Sequence, residues 1–263
     1  MDTLPAADDA PITLETRDQV AFLTLNRPRQ YNALSAALLE AMHAALDSVY
    51  QDDSIRVLVI AANGKAFCAG HDLKEMKAAD DAQYVSRLFE RCSAMMLKIA
   101  RLPIPVIAEV QGMATAAGCQ LVAQCDLAIA AETATFAVSG VNLGLFCSTP
   151  AVPLSRTISR KRAAEMLFTG EFIDAATALD WGLLNRVATA EKLRQETLNM
   201  AMTLRAKPRA TLALGKALFY RQLETGLEAA YADASRVIAC NFMDADAQEG
   251  VAAFLEKRKP VWD

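Results

Sequence analysis

The stretch PVIAEVQGMATAAGCQLVAQCDLAIAA, residues 105–131, reads as strand, turn, helix and strand in that order. PVIAEV (105–110) is a short apolar run of the kind found in a parallel strand buried on both faces. Small residues fill the turn. A small-residue helix over about 117–124 then leads to DLAIAA (126–131), a further buried strand. Two such strands joined through a helix are parallel neighbours with a right-handed crossover. This one stretch therefore predicts an α/β fold.

Working outward, the same order recurs towards the N-terminus. RVLVIAA (56–62) is another continuous apolar run. It is followed by a helix over 82–101 with Val85, Leu88, Phe89, Cys92, Met96 and Ile99 on one face. Ser35 is a candidate N-cap for a helix carrying Leu38, Leu39, Met42, Leu46 and Val49 at helical spacing. ITLETRDQVAFLTLN alternates apolar and polar residues about Arg17-Asp18-Gln19 and predicts a hairpin over 12–16 and 20–25. Towards the C-terminus the strand signal thins to LLNRVA. Helices are expected at 160–168, 174–181, 190–206, 208–223, 226–240 and 244–257. The organisation expected is a loose tail (1–11), an α/β core (12–200) and a helical C-terminal region (201–263).

Of the 263 residues, 53% are hydrophobic and 22% charged, enough to bury a sizeable core, and the net charge is −4. No basic stripe with interleaved aromatics suggests nucleic-acid binding. No apolar run reaches the ~18 residues of a membrane span. The six cysteines show no CxxC spacing, and the acidic start has no signal core. Free thiols and a cytoplasmic setting are the expectation.

Two histidines, His43 and His71, leave no His-rich zinc site, and no metal site is expected. There is no GxSxG elbow, no GxxxxGK[ST] and no GxGxxG after a strand, so hydrolase-triad, NTPase and dinucleotide readings fail. What remains are two small-residue junctions after buried strands, NGKAFCAGHDLKEM (63–76) and the turn in the opening stretch. Ligands in open α/β sheets gather at the carboxyl ends of strands. Two backbone N–H groups aimed at one point there would form an oxyanion hole, worth roughly 3–4 kcal/mol per donor. Close packing alone also calls for small residues at a strand–helix junction, and spacing does not separate the two readings.

With these residues in view, the chain resembles the crotonase superfamily, the enoyl-CoA hydratase/isomerase family. NALS (32–35), AFCAGHDLKEM (66–76), the opening stretch, FAVSGVNLGL (136–145), LFTGEFIDAATALDWGLLNRV (167–187) and EGVAAFLEKRKP (249–260) match its landmarks in order, over about residues 12–262. The resemblance implies a spiral of ββα repeats with a C-terminal helical trimerisation region, assembled as a homotrimer or homohexamer. It implies an acyl-CoA thioester as substrate, no covalently bound cofactor, and a lyase reaction of fatty acid metabolism. By position, the oxyanion donors would be the N–H groups of His71 and Ala117. Adenine and pantetheine would lie along Arg29, Gln30, Lys65, Ala66, Ala69, His71, Asp72 and Leu73. Lys257 would approach the CoA phosphates, often from a neighbouring subunit, and Cys147 would line the pocket.

The departures carry as much information. Hydratases of the family place two glutamates about a water, where this chain has Gln120 and Gly140. Hydration needs one group to take a proton from water and one to protonate carbon. A glutamine holds a water but does not titrate, and glycine does neither. Nominally a hydratase, the chain is therefore expected to hydrate weakly or not at all. A narrower resemblance, through GMATAAGCQLVA and GVNLGLFCSTP, is to a subgroup whose label says hydratase while its site residues do not. Pairing AGHDL with GVNLGL also resembles methylmalonyl-CoA decarboxylase, which needs an oxyanion hole and a proton source but no carboxylate base. That enzyme's tyrosine is replaced here by Cys147. Decarboxylation or other enolate chemistry, and non-catalytic acyl-CoA binding, stand as alternatives. Three rescues are considered: Glu109, on a strand that can face either way; Asp72, which also reads as a helix cap; and His71, whose imidazole would stand at the site mouth.

Overall fold

The computed structural model describes residues 10–262. The tail expected over 1–11 lies outside them except for Ala10 and Pro11.

The six-stranded main sheet has the order β1 (Ile12–Arg17), β2 (Val20–Leu25), β3 (Val57–Ala62), β5 (Val106–Val110), β7 (Leu127–Ala131) and β10 (Arg186–Ala188). β1 and β2 form the expected antiparallel hairpin, and every later pairing in this sheet is parallel. Apolar runs such as VLVIAA follow from burial on both faces. Leu58 and Ile60 join the larger core cluster, while Val57, Val59 and Ala61 join a second cluster on the opposite face. Helices α1 (Ala36–Gln51), α3 (Ala82–Arg101) and α4 (Ala117–Gln124) contribute to the larger cluster, and α8 (Leu193–Arg205) covers the other face. Ser35 caps α1, its hydroxyl accepting from Leu38 N at 3.2 Å.

β3, β5 and β7 are each followed by a short strand in a second sheet of order β4 (Ala66–Cys68), β6 (Met113–Thr115), β8 (Thr135–Ala137) and β9 (Ile173–Asp174). The chain thus runs β3–β4–α2 (Leu73–Ala79), β5–β6–α4 and β7–β8–α5 (Ser148–Thr157), the spiral of ββα repeats that the resemblance implies. Sequence reading did not find the second sheet. Strands of two or three residues are too short for periodicity to register. It also missed α5, which carries Pro150 in its first turn and Pro153 inside it. Both prolines are buried, so packing against the core outweighs the roughly 3 kcal/mol that an interior proline costs a helix.

Two helices, α6 (Arg160–Thr169) and α7 (Ala175–Trp181), lead towards β10, and the C-terminal region is helical: α9 (Arg209–Gln222), α10 (Leu227–Phe242) and α11 (Ala245–Leu255). It is tied to the core by Lys216, whose ammonium donates to Asp126 Oδ2 at 2.6 Å and to the carbonyls of Ile99 and Ile104, each at 3.0 Å. Asp126 also accepts from the Tyr220 hydroxyl at 2.7 Å and from Val106 N at 2.7 Å.

Candidate active site

The two junctions meet because β4 and β6 are parallel neighbours, with Cys68 opposite Ala114. Both junctions therefore leave the same end of one sheet. The sequence places them after β3 and β5, and the short strands β4 and β6 carry them one step further on. Contact is direct. A Cβ placed on Gly70 would lie 2.9 Å from Ala116 Cβ and 3.3 Å from Ala117 N. On Gly118 it would sit 2.0 Å from the Cys68 carbonyl oxygen, so any side chain there would drive α4 off β4. Close packing thus accounts for the glycines.

The alanines behave differently. Ala116 has φ 51° and ψ −119°, a region that favours glycine. Its strained peptide turns the chain into α4 and places Ala117 N at the first position of that helix, where no intrahelical acceptor exists. On the other turn, Leu34 brackets His71. Leu34 N donates to Gly70 O at 2.7 Å, and Asp72 N donates to Leu34 O at 3.2 Å. Neither the His71 N–H nor the Ala117 N–H closes any of these turn bonds.

The side chains about this point are short of titratable groups. Gln120 is 3% exposed, and its Oε1 has no hydrogen-bond partner. Gly140 lies in a 3₁₀ turn (Ser139–Leu143) tied to β6 by the Thr115–Ser139 hydroxyl pair at 3.0 Å. A Cβ on Gly140 would meet Leu145 O at 2.5 Å and Cys147 Sγ at 2.8 Å, so the 145–147 loop occupies the place of any side chain there. Cys147 is buried, and burial pushes its thiol upward.

The His71 imidazole packs edge-on against Phe89, with ring centroids 4.6 Å apart. Both its ring nitrogens are buried without a partner. Burial holds its pKa below the ordinary value, against the opposing pull of the adjacent Leu34 backbone and, less strongly, of the Glu75 carboxylate. Of the other rescues, Asp72 is a cap: it accepts from Glu75 N at 3.3 Å and pairs with Arg27 at 3.3 Å. Glu109 lies on the far face of the main sheet, 3.0 Å from Arg194 of α8, so its carboxyl does not face the junctions. His43 sits half-buried on α1, bonded to Arg91 O at 2.9 Å.

Arg29 and Gln30 are exposed on a 3₁₀ turn (Pro28–Gln30), and Lys65 is exposed on the β3–β4 turn. The two turns touch, since a Cβ on Gly64 would lie 2.6 Å from Pro28 Cβ. Leu73 is 48% exposed at the start of α2, whereas Ala66 is buried and Ala69 half-buried. Lys257 is exposed beyond the end of α11, on the helical arm. Among the described residues no group of three His, Cys, Asp or Glu could hold a metal ion. Sequence reading missed Arg27, whose carboxylate partner Asp72 lies far along the chain, and the Tyr84–Glu75 pair, a 2.5 Å hydrogen bond between α3 and α2.

Comparison with known proteins gives the family. The family model "Enoyl-CoA hydratase/isomerase" matches residues 15–263. The chain is 45% identical over 261 residues to mouse enoyl-CoA hydratase domain-containing protein 3, mitochondrial, covering 98% of this chain and 87% of that one. A solved enoyl-CoA hydratase from Mycobacterium smegmatis superposes with TM-score 0.94 at 57% identity, covering 96% of this chain and 98% of that one. Human enoyl Coenzyme A hydratase domain-containing protein 3 superposes with TM-score 0.93 at 44% identity, covering 96% and 100%. These matches correct one expectation. The curated mouse and human relatives are both named as mitochondrial, and the cytoplasmic assignment is withdrawn. With the family model spanning nearly the whole described chain and near relatives aligned end to end, the protein belongs to the enoyl-CoA hydratase/isomerase family.

Proposed function

We propose that this protein binds an acyl-CoA thioester with its carbonyl between the N–H groups of His71 and Ala117, and that it is a weak hydratase or none. The buried Gln120 carries the second half of this reading: where hydration needs a titratable carboxylate, an amide stands with an unpartnered oxygen. Two free N–H groups at touching turns, one on a helix N-terminus, support charge stabilisation on a thioester oxygen. Arg29, Gln30 and Lys65 form an exposed lip suited to the CoA moiety, and Gln120 would orient a water or a polar acyl group.

Hydration of crotonyl-CoA tests the reading. Turnover of order 1–10³ per second would overturn it. Slow or absent turnover, with acetyl-CoA still bound in a titration, is expected. Gln120→Glu then asks whether a carboxylate restores measurable hydration. Gly140→Glu is not a clean companion, because Leu145 O blocks its side chain.

A second reading, decarboxylation of a malonyl-type thioester, draws support from His71. Its two unpartnered ring nitrogens suit a carboxylate or a proton delivered to the nascent carbanion. Carbon dioxide release from malonyl- or methylmalonyl-CoA, abolished by His71→Ala, would favour this reading over weak hydration. Release unchanged in that variant would remove His71 from it.

A further inference from the structure

Arg27 precedes the lip and has no part in the chemistry proposed above, yet it is tied to both sides of the His71 peptide. Its Nη1 donates to Ala33 O at 2.7 Å, and its Nη2 pairs with Asp72 Oδ2 at 3.3 Å. Ala33 precedes Leu34, whose N–H and carbonyl make the two bonds that bracket His71. Asp72 follows His71 and caps α2. One guanidinium therefore clamps the bracketing strand to the residue after the donor. The far end of the loop is held independently. Asn32 is fully buried, accepts from Arg27 N at 2.8 Å, and donates to Asn63 O and Ala66 O at 2.9 Å each. The Arg27 side chain is only 23% exposed and that of Asp72 15%, so the pair is shielded from much of the screening that weakens surface ion pairs.

We propose that Arg27 is a positioning residue: it fixes the direction of the His71 N–H, and so the polarisation of the thioester carbonyl, without touching substrate. This rests on the His71 and Ala117 reading given above. A fixed donor is worth more than a mobile one, because no reorganisation is needed as charge develops.

The test uses the full chain with acetyl-CoA labelled with carbon-13 at the thioester carbonyl. Isotope-edited infrared spectroscopy reads the carbonyl stretch, and titration reads affinity. Bound to the wild type, the stretch should move to lower frequency than in free acetyl-CoA. Arg27→Met should lose most of that shift while affinity falls by less than about tenfold, since the lip contacts remain. Arg27→Gln should resemble Met, because its shorter side chain cannot span both partners, and Arg27→Lys should restore part of the shift. If Met fails to fold, Gln and Lys carry the test. A purely structural arginine lowers Tm and leaves the bound carbonyl frequency unchanged; that result in folded variants would overturn the proposal. Binding to the wild type with no shift would instead overturn the oxyanion reading on which it stands.

Discussion

Ala116 holds a backbone conformation that a Cβ resists, at a cost of about 1–3 kcal/mol. Ala116→Gly should therefore raise stability in urea by about 1 kcal/mol, after subtracting the extra freedom that glycine gives the unfolded chain. An unchanged or lower midpoint would show that the Cβ makes compensating contacts. Gly118→Ala should do the opposite. A methyl placed 2.0 Å from Cys68 O forces α4 from β4, and a loss of about 3 kcal/mol or more is expected. His71 adds a pH dependence. Its folded pKa is depressed, so at neutral pH both folded and unfolded forms are neutral there and nothing is lost. As pH falls below about 6.5 the unfolded chain takes up a proton that the folded one resists, and stability drops until the folded pKa is passed. His71→Gln should remove that component from the stability difference between neutral and mildly acid pH.

At the scale of elements, legibility followed length and periodicity. α3 and α4 lie over 82–101 and 117–124, the spans their patterns predict, because apolar spacing and the small-residue run mark them locally. The site was legible as two junctions. Which strands carried them was not, since β4 and β6 are set by pairing with each other across some fifty residues and not by local pattern. Arg27 was silent for the same reason. The Lys216–Asp126–Tyr220 cluster likewise depends on a remote partner: Lys216 and Tyr220 stand one turn apart on α9, but Asp126 lies some ninety residues away. Lys216→Met would strand a partly buried carboxylate and should cost about 3–5 kcal/mol. Hydrogen exchange should show α9 losing protection first, and uniform loss over the whole chain would contradict its role as the arm's anchor.

For the whole molecule, apolar exposure is the conspicuous feature. Leu227, Phe254, Leu255 and Met243 on the helical arm are 73–81% exposed, and Leu143, Phe146 and Phe168 near the 3₁₀ turn are 52–68% exposed. Monomers rarely leave such patches open. Sedimentation should give three or six times the 28.4 kDa chain mass, and Phe254→Asp should shift the equilibrium towards monomer. A monodisperse monomer of the parent chain would show that the arm closes on something else.

The loop at 145–147 also limits what the turn beside it can become. With Leu145 O and Cys147 Sγ seated where a Cβ at position 140 would go, installing a carboxylate there takes more than one substitution. The loop must first withdraw, and until it does any side chain at 140 meets backbone. Position 140 is in this sense locked from outside: the residue itself is free to be changed in the gene, but the segment that decides whether the change is tolerated lies five to seven residues further on.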